Sequence, residues 1–121
     1  GLACIDFPYC QGLLFPALQW KALHTDLISI HMLHRLGALV TFFYLSLLSC
    51  FLIKKKNKRP FGLLLLNLLG VQILLGILNI IWQRPLFIAL LHHAVAALLL
   101  LTLLATVVYS SRQGNPYEQN T

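Results

Sequence analysis

The sequence predicts an all-α integral membrane protein in which three transmembrane helices are visible. Three observations carry that expectation. First, 59% of the 121 residues are hydrophobic and only 10% are charged, whereas a soluble domain carries roughly 25% charged residues; the mean hydropathy is +0.80. Second, three apolar segments each reach the length of about 20 residues that a helix needs to cross a bilayer. Third, five of the nine basic residues form one run, Lys54-Lys55-Lys56-Asn57-Lys58-Arg59, directly after an apolar segment. A basic cluster beside a span marks the cytoplasmic side. The net charge of +6 is therefore a topology signal. A nucleic-acid reader spreads its charge over a folded face among aromatics, and no nucleic-acid partner is expected.

The elements follow in order. Residues 1–26 read as an extracytoplasmic loop that opens GLACIDFPYC, with Cys4 and Cys10 flanking Asp6, Phe7 and Pro8. Outside the cytoplasm disulfides persist, and a bridge closing so short a loop is sterically permitted and strained enough to be redox-active. As a zinc site the pair lacks partners at the usual spacings. The chain starts at Gly1 without Met or a visible signal peptide, so a piece of a longer protein is expected.

The spans are expected at about 27–53, 61–82 and 86–109. Helices are the only choice, because an isolated strand leaves backbone groups unpaired in lipid. With the run at 54–59 cytoplasmic, the connector Gln83-Arg84-Pro85 lies outside and the polar tail 110–121 lies inside, without fixed structure. Trp82 and Tyr109 close spans two and three, where aromatic belts form. Three helices leave a bundle odd, and a fourth before Gly1 would complete a four-helix half-bundle. Cys50, within span one, reads as a small apolar residue.

Histidine is the informative residue type. His34 lies about seven residues into the first span and His92 about six into the third, and both spans run from outside to inside. At 1.5 Å per residue both sit roughly 9–10 Å below the outer boundary. Two imidazoles on two helices at one depth are what bis-histidine ligation of a haem in a bundle requires. For each residue alone, a hydrogen bond across helices is the plainer reading; the matched depth favours a ligand pair. His31 shares the face of His34 one turn nearer water and reads as interfacial. His93 points about 100° from His92, so only one of the two faces a given partner. His24 lies in the outer loop. Arg35 and Arg84, at the outer boundary, either snorkel to headgroups or pair with haem propionates. Gln72 and Asn79, seven apart on one face of span two, read as interhelical hydrogen-bonding groups.

Taken in order, ACIDFPYCQG, IHMLHRLGALVTFFYL, QILLGILNI and RPLFIALLHHAVAALLLLTL resemble the carboxy-terminal half of haem A synthase, the CtaA family, over essentially the whole chain. The resemblance implies an eight-helix protein of two similar four-helix halves in a bacterial inner (plasma) membrane. It implies an oxidoreductase that converts a methyl group of haem O to the formyl of haem A for cytochrome oxidase assembly. In this half it implies a b-type haem between His34, matching the first ligand motif, and His92, matching the second; at the place of His93 the motif typically has Asn or Gln. The Cys4–Cys10 pair matches one that is commonly a disulfide. The implied partners are the haem O/haem A substrate in the other half, membrane lipid, haem O synthase, an electron donor and a second copy of the chain. Position 31 is His where the amino-terminal half carries a catalytic Glu, so no catalytic residue is expected in these 121 residues. The rival readings are a non-catalytic membrane cytochrome b carrying electrons for a partner, and a haem-free scaffold.

Overall fold

A computed structural model describes residues 8–10, 12–14 and 25–113. Its elements are three helices, α1 (Leu27–Ile53), α2 (Arg59–Ile81) and α3 (Leu86–Gln113). Each is long and apolar enough to cross a membrane, as the composition requires.

Local chemistry sets the helix ends. Asp26 is the N-cap of α1: the Ser29 amide donates to its Oδ2 at 3.0 Å, and the Ser29 hydroxyl donates to the same oxygen. These two bonds hold the Asp26 carboxyl below the usual carboxylate range, and its charge suits the positive end of the helix dipole. Helix α2 starts two residues before the expected 61, because Pro60 in its first turn has the dihedral that a helix start needs. Helix α3 continues past Tyr109 into the polar segment. Ser111 Oγ donates to Val108 O at 2.8 Å, Gln113 Nε2 donates to Tyr109 OH at 2.8 Å, and Arg112 lies in the last turn, where a cation is favoured.

Helix α2 is the middle of the molecule and packs on both α1 and α3. The core is a leucine cluster of Leu45 and Leu52 from α1, Leu65 and Leu69 from α2, and Leu99 from α3. At this end Lys58 Nζ donates to Ser110 Oγ at 2.8 Å, and the Phe61 and Tyr109 rings lie 5.2 Å apart, so the lysine loop is tied to α3. Helices α1 and α2 approach closely at Gly62, where an added Cβ would sit 2.8 Å from Ser49 O and 3.0 Å from Ile53 N. Small residues at such crossings let helices pack in lipid, where no hydrophobic force drives them together. At most 22% of the most apolar stretch of any helix is buried inside the molecule. Large side chains such as Leu47, Leu86 and Phe87 face outward.

The α2–α3 connection is short and strained. Gln83 and Arg84 adopt φ of 54° and 60°, a left-handed conformation that disfavours residues with a Cβ by about 1–2 kcal/mol each. The turn is held by the Arg84 amide donating to Asn79 O at 2.7 Å and the Gln83 amide donating to Ile80 O at 3.1 Å. It reverses the chain at once, so α3 runs alongside α2 and parallel to α1.

Candidate functional site

A groove of about 1580 Å³, lined by all three helices, reaches from Leu45, Leu69 and Leu99 of the leucine cluster to Arg84 beyond the end of α2. His34 from α1 and His92 from α3 meet across it, ring centroids 6.5 Å apart and planes at 69°. Residues 58 apart in sequence come together because each lies about two turns from the start of one of two parallel helices.

Helix α2 supports His92 from behind. Gln72 Nε2 lies 3.2 Å from His92 Nε2. With the amide donating, the ring proton sits on Nδ1. One turn further along, a Cβ on Gly76 would lie 3.3 Å from His92 Cε1. Gln72 and Gly76 thus form a notch for the imidazole. His93 is turned onto its own helix, Nδ1 donating to Ala89 O at 2.7 Å. The rings of His92 and His93 are 6.2 Å apart and nearly perpendicular, as their 100° helical offset demands.

Four buried polar atoms along the groove, His31 Nδ1, Gln72 Oε1, Asn79 Oδ1 and His92 Nδ1, lack a hydrogen-bond partner among the described residues. Buried polar atoms without partners are unfavourable, so these four are groups with hydrogen-bonding capacity to offer a ligand or water. The remaining walls are mostly apolar, with leucine and isoleucine prominent and Thr41 and Tyr44 among the exceptions. Among the described residues no Asp or Glu lines the groove, and no group of three His, Cys, Asp or Glu is placed to hold a bare metal ion. The site offers two nitrogen ligands in an apolar setting, with no general acid or base of carboxylate type.

The other expected residues are placed as follows. Arg84 lies at the mouth of the groove. Arg35 also lines it, but its Nη1 donates to Pro8 O and Tyr9 O at 3.1 Å each, which ties α1 to the cysteine-bearing segment. Cys10 is fully buried against Met32 and Ile28; Cys4 and His24 lie outside the described residues. Cys50 is exposed and free. His31 is half-buried on the groove wall. Two features were missed from the sequence: Gly76, whose signal was a small residue one turn from a membrane glutamine, and the docking of residues 8 and 9 on Arg35, for which no local signal exists.

These features define a class: a multi-pass helical membrane protein with a histidine pair facing an apolar groove. The model of the COX15-CtaA family, described as cytochrome oxidase assembly protein, matches residues 1–104. The chain is 35% identical over 120 residues to the haem A synthase of Shewanella oneidensis, covering 85% of this chain and 36% of that protein. It is 32% identical over 105 residues to the haem A synthase of Neorickettsia sennetsu, covering 83% and 32%, and 33% identical over 99 residues to that of Novosphingobium aromaticivorans, covering 77% and 28%. No solved structure matches it. The chain belongs to the haem A synthase family, and it spans about a third of the length of these curated relatives.

Proposed function

We propose that this chain is the electron-transfer half of a bacterial haem A synthase, holding a b-type haem between His34 and His92. The complete enzyme would oxidise the haem O methyl group to the formyl of haem A for cytochrome oxidase assembly. The observation that carries the reading is the 6.5 Å separation of the two rings. An iron shared by two imidazoles, with metal–nitrogen bonds of about 2 Å, holds the ring centres roughly 6–6.5 Å apart. The groove of about 1580 Å³ exceeds the roughly 300–1,000 Å³ of ordinary ligand pockets, which leaves room for a macrocycle.

When bound, a haem with both axial positions filled by protein supplies one-electron transfer and has no open position for oxygen. The chain's own residues do the rest. His34 and His92 would hold the haem through their imidazole nitrogens, and Gln72, 3.2 Å from His92 Nε2, orients that ring. Gly76 leaves space for the His92 ring. The apolar walls exclude water, and Arg84 places a cation at the mouth, where a carboxylate of the ligand would be neutralised. No residue here is assigned a catalytic step; among the described residues no carboxylate lines the groove. Substrate haem O would bind in the other half, with haem O synthase, an electron donor and a second copy as further partners. The Cys4–Cys10 pair would be a disulfide outside the membrane, with the lysine loop in the cytoplasm. The missing carboxylate also suits a carrier cytochrome b, which a Glu-x-x-His-Arg helix upstream of Gly1 would rule out.

The test is a reduced-minus-oxidised visible spectrum of the full-length protein beside His34→Ala and His92→Ala. A low-spin b-type signal, lost in both variants, is expected. A folded wild type without haem, or a signal that survives both substitutions, overturns the reading.

A further inference from the structure

We infer that Arg35 is a positioning residue that docks the cysteine-bearing turn onto the mouth of the histidine groove, and that this docking limits how much water reaches the His34 side of the site. The first half of the inference stands on geometry alone; the second rests on the haem proposed above.

Cys10 and Leu13 are paired through their backbones. The Cys10 amide donates to Leu13 O at 2.8 Å and the Leu13 amide donates back to Cys10 O at 3.1 Å. Gly12, at φ +77°, supplies the left-handed step between them. The turn lies along one stripe of α1. Ile28, Met32 and Arg35 are spaced four and three apart and so share a face. Cys10 is fully buried on the first two, and Arg35 holds the residues just before it.

The Arg35 contact is specific. One guanidinium nitrogen donates to the consecutive carbonyls of Pro8 and Tyr9, both at 3.1 Å. Hydrogen bonds from a charged donor are about twice as strong as neutral ones. An arginine that merely reached for headgroups would leave these carbonyls to water. Pro8 and Leu14, on either side of the turn, line the groove together with His34. The turn is therefore part of the groove wall, and the residue that fastens it is the immediate neighbour of a proposed iron ligand. Arg35 thus acts on the site through the backbone it holds, which differs from the propionate contact expected from the sequence.

The experiment uses the full-length protein with its native haem and the variants Arg35→Gln, Arg35→Lys and Gly12→Ala. Two quantities are read: hydrogen exchange of the Cys10 and Leu13 amides, and the haem midpoint potential. In Arg35→Gln exchange speeds up by about tenfold or more, the loss of charge-assisted bonds being worth at least that factor. The potential falls, because added water favours the more highly charged ferric state. Arg35→Lys restores both in part, keeping the charge without the planar fork. Gly12→Ala strains the turn, because φ +77° disfavours an L side chain although its Cβ would meet nothing within 4 Å; it changes both in the same direction as Arg35→Gln and decides the matter if that variant fails to fold. Exchange at wild-type rate in Arg35→Gln overturns the docking, and a potential that falls without faster exchange reduces Arg35 to a charge acting on the haem. Faster exchange with an unchanged potential overturns the control of water. A wild type lacking b-haem sinks the function proposed above, while the exchange measurement still decides the docking.

Discussion

The α1–α2 crossing gives a prediction whose size follows from the structure. In Gly62→Ala the new Cβ meets Ile53 Cγ1 at 2.8 Å, Ser49 O at 2.8 Å and Ile53 N at 3.0 Å. The isoleucine methylene can turn aside, but two of the three neighbours are backbone, so the helices must separate by about 0.5 Å to reach ordinary contact. Overpacking of this kind destabilises by about 1–3 kcal/mol. Replacing glycine by alanine in a helix returns about 1 kcal/mol, which leaves a net loss of about 0–2 kcal/mol. Gly70→Ala is the control on the same helix. Nothing lies within 4 Å of its Cβ, so only the helix gain of about 1 kcal/mol remains. The two variants should differ by about 1–3 kcal/mol, with Gly62→Ala the weaker. Unfolding in mixed detergent micelles by a denaturing detergent, followed by far-ultraviolet circular dichroism, measures the difference. A Gly62→Ala protein as stable as Gly70→Ala would refute the close approach at this crossing.

Two further outcomes are expected. Gly76→Leu fills the notch behind His92, whose Cε1 is already 3.3 Å from a Cβ at that position, so the b-type signal should be lost or turn high-spin, while Gly70→Leu keeps it; equal spectra would remove the steric argument. Asp26 has its carboxyl held low by Ser29, so its contribution is present above the usual carboxylate range and disappears as pH falls through its depressed native value. Asp26→Asn retains an N-cap acceptor and should remove that acid step from the thermal midpoint measured against pH. An identical acid dependence in the two proteins would show that the cap bond does not titrate with folding.

The spans were legible because lipid makes composition decisive: an apolar run such as 36–53 has one stable form in a bilayer. The depth match of His34 and His92 was also legible, since it needs only a count along two parallel helices. The choice between His92 and His93 was not, because it depends on helix rotation, which α2 sets. Helices apolar all round carry no stripe in the sequence to show which face turns inward. The end of α3 was misplaced for a related reason. A polar residue past the membrane boundary looks like a tail, yet Ser111 and Gln113 bond back to Val108 and Tyr109 and prolong the helix. The role of Arg35 was hidden more deeply, because its partners are carbonyls more than 25 residues away, and a carbonyl is the same in every residue.

Helix α2 explains why one end of the molecule is closed and the other open. Its glycines at 62, 70 and 76 meet three different surroundings: the α1 backbone, open space, and the His92 ring. Near Gly62 the contact is tight and the leucine cluster, with the Lys58–Ser110 bond, brings all three helices together. Past Leu69 the same helix presents Gln72, Gly76 and Asn79 to the groove. Small and polar side chains are here interleaved with Ile73, Ile77 and Ile80. A pair of parallel helices pinned at one end and spread by a third at the other holds two histidines apart at a set distance. A two-ligand site for a flat macrocycle needs that separation. A uniformly leucine-packed bundle would instead close the gap and bury the imidazoles against each other.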